Sequence, residues 1–150
     1  MSLSPGKYHL LVPRDPDANR RYRAKNHKRC LASAAHRRAV REMCEEDLLF
    51  YVNAFVWQAN PRLLTNKVGP FSTWDFQDEA FGALLGCVER GRDALIEKSR
   101  DMGASWMCLI LFEWLWHFRK DNVFICISRN EKAVDAPTPK SLFWKIDMIH

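Results

Sequence analysis

The sequence has no Cys-x-x-Cys pair, no two histidines at metal-ligand spacing and no apolar run long enough to span a bilayer. Its five cysteines, Cys30, Cys44, Cys87, Cys108 and Cys126, are odd in number and unpaired in spacing. Neither a zinc knuckle nor a complete disulfide framework is supported, and a reducing cytoplasm fits best. His9, His27, His36, His117 and His150 are scattered, and His117 reads as a satisfied core histidine. There is no Gly-x-Ser-x-Gly elbow, so serine-hydrolase chemistry lacks its nucleophile. The longest apolar stretch, residues 106 to 118, is interrupted by Glu113 and His117. A membrane helix needs about 20 apolar residues, so this stretch reads as a buried helix. The first eight residues are short and polar, without the apolar core of a signal peptide. Repeats and low-complexity segments are also missing.

What is present is globular: 47% hydrophobic and 27% charged residues over 150 positions suit one domain with a real core. The net charge of +5 is local. Between Arg14 and Arg41 ten Lys/Arg face only Asp15 and Asp17, which makes that segment +8 and leaves −3 for the remainder. Such a segment is an exposed arm or face that can meet phosphates, a partner surface or water. Tyr22 is its one aromatic for base stacking.

Residues 1 to 19, with Pro5, Pro13 and Pro16, read as an irregular leader. Residues 20 to 44 lack Gly and Pro and predict one or two exposed helices. Glu45, Glu46 and Asp47 then form an acidic first turn for an apolar helix over residues 48 to 57, ended by Asn60 and Pro61. Residues 63 to 73 are a connector. Residues 75 to 89 predict a helix closed by Gly91. Residues 94 to 97 predict a short buried strand, 98 to 103 a loop, 104 to about 119 an apolar helix, and 123 to 128 a second buried strand of the parallel-sheet type. Thr138 and Pro139 open a last helix with Leu142, Phe143, Ile146 and Ile149 on one face.

The chemistry concentrates at KSRDMGAS, residues 98 to 105. A phosphate loop needs inward-pointing N–H groups, a glycine where a side chain would collide, a cation for the β/γ-phosphates and a hydroxyl for Mg²⁺. Gly103 and Ser105 occupy the glycine and hydroxyl positions of G-x-x-x-x-G-K-[ST]. Ala104 stands at the usual lysine position and Lys98 at the usual first glycine. A lysine at the loop entrance can still send its ammonium back to the same phosphates, and Arg100 is a second cation.

The loop Lys98, Ser99, Arg100, Asp101, Met102, Gly103, Ala104, Ser105 resembles the deviant Walker A of phage terminase large subunits, some of which carry the lysine at the front. EDLLFYVNAFVW (46 to 57), GPFSTWDFQ (69 to 77) and SLFWKID (141 to 147) resemble segments found in that order in the same family. The resemblance implies an α/β fold, a partial P-loop NTPase core of the RecA-like ASCE kind behind an N-terminal helical region. Residues 1 to 44 would be a basic leader and residues 45 to 150 the front of the ATPase domain. It implies ATP and Mg²⁺ as cofactors, with Gln77 on the adenine edge, Phe76 or Trp74 stacked on the ring, the 98 to 105 loop on the phosphates and Ser105 on the metal. Arg129 would sense nucleotide or DNA, or be a surface cation. Double-stranded DNA, a portal protein and a small terminase subunit are the implied partners, in the cytoplasm of a bacterial host and without a membrane.

No strand after Ser105 ends in the Asp and Glu that Mg²⁺ binding and water activation require, and no carboxylate-rich nuclease domain follows. The expectation is a motor segment cut short, with no catalytic residue of its own and negligible turnover. The alternative is a non-enzymatic basic helical module that binds nucleic acid or a capsid or portal partner.

Overall fold

A computed structural model describes residues 6–59, 68–99 and 102–149. Its first three helices are separated by single capping residues. Asp15 accepts from the Ala18 N–H at 2.8 Å and Pro16 takes the first position of α1 (Pro16–Ala32). Ser33, in extended conformation, breaks the chain and caps α2 (Ala34–Glu46) by accepting from the His36 N–H at 3.2 Å. Asp47 does the same for α3 (Leu48–Phe55), accepting from the Phe50 N–H at 3.0 Å. Glu45 and Glu46 therefore end α2 rather than open α3, because the side chain able to cap belongs to Asp47.

After α3 the chain enters β1 (Trp57–Ala59), which pairs antiparallel with β2 (Val68–Pro70) and sets Trp57 opposite Pro70. Trp57 was expected in the helix and Gly69 and Pro70 in a connector; Asn60 and Pro61 lie outside the described residues. Helices α4 (Asp75–Glu89) and α5 (Ala104–Phe118) match their expected positions, and Gly91 closes α4 at φ +60. A short α6 (Glu131–Val134) leads to α7 (Leu142–Ile149). Ser141 rather than Thr138 caps α7, its hydroxyl accepting from the Trp144 N–H at 3.2 Å. Thr138 and Pro139 sit in the preceding turn.

The expected α/β class is thus corrected. Most of the described residues are helical, and their one sheet is the two-stranded β1–β2 pair, which does not resemble a partial P-loop NTPase core. Neither expected parallel strand forms. Residues 94 to 97 make no backbone hydrogen bond among the described residues and Leu95 is wholly exposed. Residues 123 to 128 are likewise unpaired. An apolar β-branched run becomes a strand only when a neighbour supplies the ladder, and none of the described segments does so.

The core forms around α5, whose Met107, Ile110, Leu111 and Trp114 pack with Val52 of α3 and Phe81 of α4. The Trp114 indole N–H donates to the Cys44 carbonyl at 2.7 Å and ties α5 to the end of α2. Helix α1 packs differently, for its buried residues are Asn19, Arg23 and Asn26. Asn19 donates to the Asn53 carbonyl at 3.0 Å and Arg23 donates to the same oxygen at 2.8 Å, while Arg23 Nε donates to Asn19 Oδ1 at 2.6 Å. The first two satisfy the Asn53 carbonyl, which the last turn of α3 leaves open, and the third holds the two donors together. The Arg23 guanidinium lies 5.2 Å from the Trp57 ring centroid, and burial lowers its pKa to about 10.

The leader is docked as well. Asp47 accepts from the Tyr8 and His9 N–H groups at 2.9 and 2.8 Å, and a Cβ on Gly6 would collide with its carboxylate. Arg14 pairs with Asp75 at 2.8 Å and with Asp78, and donates to the Thr73 carbonyl at 3.2 Å. Among the described residues no helix is long and apolar enough to cross a membrane.

Two outcomes follow from this packing. Arg23→Ala removes the charged donor from buried carbonyls and is expected to cost about 2–3 kcal/mol in urea unfolding, against less than about 0.5 for the exposed Arg21→Ala. Equal small losses would mean that water replaces Arg23. Burial raises the Cys44 thiol from its ordinary value near 9.0 to about 12. The folded chain then holds this proton more tightly, so the stability it lends is complete below pH 9 and is lost as pH rises toward 12. Above pH 9, denaturation should show a falling stability of up to about 1.4 kcal/mol per pH unit, with a shallower fall in Cys44→Ala.

Candidate functional site

The corner between the start of α4 and the start of α5 holds most of the residues singled out from the sequence. The chain reaches α4 through Thr73, whose N–H donates to Asn53 Oδ1 at 2.9 Å and whose hydroxyl accepts from Asn53 Nδ2 at 3.0 Å. Asn53 thereby links the polar face of α1, through its carbonyl, to the approach to Gln77, through its side chain. Gln77 is three residues into α4, and its Oε1 accepts from the Trp74 N–H at 3.1 Å, which is one half of a capping box. Its Nε2 donates to the Met102 carbonyl at 3.3 Å.

That last bond joins residues 25 apart in sequence and brings two expected elements together: the glutamine assigned to adenine and the loop assigned to phosphate. Gly103 is the N-cap of α5 at φ 81, and a Cβ there would sit 3.0 Å from Gln77 Nε2. The left-handed conformation and the close amide both require glycine. Among the described residues no side chain caps α5, and the N–H groups of Ala104, Ser105 and Trp106 have no acceptor. The α5 start thus offers, among the described residues, several backbone donors without an acceptor and the positive end of a helix dipole. Ser105 is exposed one residue beyond Ala104, and no acidic residue lies in the first turn.

Trp74 and Phe76, 69% and 42% exposed, flank the mostly buried Gln77 and leave aromatic surface for stacking. Gln77 keeps one Nε2 hydrogen beyond its bond to Met102. That hydrogen belongs to a buried amide whose Oε1 is already committed to Trp74. The metal is less well provided for: Ser105 supplies one hydroxyl, and no cluster of three His, Cys, Asp or Glu that could hold an ion occurs among the described residues. Lys98 is exposed and turns its ammonium to the Ser99 carbonyl at 3.0 Å, so it is not gathered into the corner; Ser99 is exposed beside it. Arg100 and Asp101 lie outside the described residues. Arg129 is exposed at the end of the extended tract that follows α5.

Sequence reasoning did not find Arg14, Asn19, Arg23, Asn53 or Thr73, which support the corner from outside. Their signal is weak, since each is a polar residue with a partner 20 or more positions away. No family model matches the chain, and no curated protein or solved structure matches it either.

Gly103→Ala should lower stability by about 1 kcal/mol or more, because alanine at that φ is strained and its methyl presses on Gln77. Gly82→Ala, mid-helix with nothing within 4 Å of the added methyl, should instead raise it by about 0.5–1 kcal/mol. Thermal unfolding of the two variants side by side checks the contrast.

Proposed function

We propose that this chain is the nucleotide-binding front of a phage DNA-packaging motor of the terminase large-subunit kind, with the Gln77–Ser105 corner as its ATP site. What supports this reading is the bond from Gln77 to Met102, which joins the Gln77 side chain to the residue before Gly103, at a start of α5 that no side chain caps among the described residues. Gln77, Trp74 and Phe76 would take the base. The free N–H groups of α5 and the close-approach Gly103 would take phosphate oxygens, with Ser105 on Mg²⁺ and Lys98 swinging in from solvent. The proposal concerns binding at this corner and does not include a parallel sheet. Turnover by this chain is expected to be negligible, because no apolar run after Ser105 ends in the Asp and Glu that metal binding and water activation require. Double-stranded DNA, portal and small-subunit partners belong to the same proposal.

A second reading rests on α1, where Arg21, Lys25 and Lys28 recur at helical spacing on the face opposite the buried Asn19, Arg23 and Asn26. Such a stripe suits a phosphodiester backbone. It calls for DNA binding that weakens steeply with salt and ignores ATP.

A titration with fluorescent ATP and Mg²⁺ tests the first reading. Lys98→Ala, at an exposed position, should leave folding unchanged and weaken ATP binding about tenfold or more. Gln77→Glu keeps the acceptor for the Trp74 N–H but loses the amide donor, and should narrow the preference for ATP over GTP. Wild-type protein that binds neither nucleotide, while holding DNA in a salt-sensitive way, would favour the second reading.

A further inference from the structure

The tract between α5 and α6 is built like a strand and has no strand beside it. From residue 122 to 127 its burial alternates: Phe124 and Cys126 turn inward to a cavity of about 310 Å³ with Phe112, Trp116, Phe143 and Ile146, whereas Val123, Ile125 and Ile127 are 88%, 77% and 85% exposed. Phe124 stacks on Phe112 with ring centroids 4.7 Å apart, which fixes the inward face. Among the described residues the backbone of 123 to 128 makes no backbone hydrogen bond. Three exposed β-branched side chains on an open backbone edge form a template for another strand.

We propose that this edge pairs with the same tract of a second copy, antiparallel about a two-fold axis through Ile125. The register is dictated by sequence. With Ile125 opposite its own copy, Val123 faces Ile127 and Asn122 faces Ser128, so apolar meets apolar and polar meets polar. Beyond the extended tract, Asp121, in the left-handed turn that opens it at φ 60, and Arg129, in the bend that closes it, are both exposed, and the two-fold axis brings each end of one copy to the opposite end of the other. A slip of two residues in one direction sets Val123 against Arg129, and in the other Asp121 against Ile127. A slip of one residue sets Phe124 against Ile125 and pulls Phe124 from its stack on Phe112. Opposite charges and β-branched pairs across an antiparallel ladder are favourable, and like charges there are unfavourable, so both patterns select the same pairing. An isologous two-fold contact closes on itself, because each copy uses the same edge of the tract to meet the other. This assembly is independent of the nucleotide site, which lies at the other end of α5.

Sedimentation equilibrium on the full chain at low salt tests it. Wild-type protein should be a dimer. Asp121→Arg places arginine opposite arginine and Arg129→Asp places aspartate opposite aspartate; each alone should weaken dimerisation about tenfold or more. An equimolar mixture of the two variants restores both attractive pairs and should dimerise as wild type does. A monomeric or polydisperse wild type, single variants that dimerise unchanged, or a mixture that stays monomeric would each overturn the proposal. Association through the exposed Leu95 of a second copy would appear as dimers indifferent to both charge reversals.

Discussion

The carbonyl of Asn53 is the point on which this architecture hangs. It closes α3, and a helix end buried without donors is costly because its last carbonyls have no partners within the helix. Asn19 and Arg23 of α1 supply those donors at 3.0 and 2.8 Å. This explains a helix with almost no apolar face: α1 is held by polar groups that match specific oxygens, rather than by oil. Burying a guanidinium is unfavourable in itself, as its lowered pKa records, and it is tolerated because the Nε and one Nη are bonded and Trp57 lies under the plane.

The same residue passes that order onward. The Asn53 side chain grips Thr73, and Arg14 of the leader grips the Thr73 carbonyl together with Asp75 and Asp78. The start of α4 is therefore positioned from two sides, by Asn53 and by Arg14, before Gln77 reaches across to Met102. The nucleotide site proposed above would draw its groups from different helices and would need such support, since small displacements of either helix would separate them. The leader, read from its prolines as irregular, is part of that support through Asp47 and Arg14.

Other parts of the chain are under-satisfied. Leu95, Val123, Ile125 and Ile127 expose apolar surface on extended segments that flank α5 before and after. They explain why an α/β sheet was expected and why none is seen: the residues have strand character, and the ladder that would make them strands has no second member among the described residues. The helices that pack on α5 cover most of its apolar surface, Trp116 excepted, and the inward side of the later tract, but not the outward side. That imbalance motivates the intermolecular pairing argued above.

What the sequence by itself determined lies within a few residues of its signal. The apolar runs placed α4 and α5, Gly91 marked where α4 closes, Gly103 marked the turn into α5, and the absence of Gly and Pro marked α1 and α2 as helical. What only the tertiary structure decided depends on partners far along the chain. Ser33 and Asp47 became caps rather than helix interior, Trp57 left its helix to pair with Pro70, two strand-like runs stayed unpaired, and Gln77 came to lie against Met102. The reason is physical: a helix satisfies its backbone and displays its periodicity within four residues, whereas a strand, a buried arginine or a two-helix site is completed by groups that local sequence does not contain.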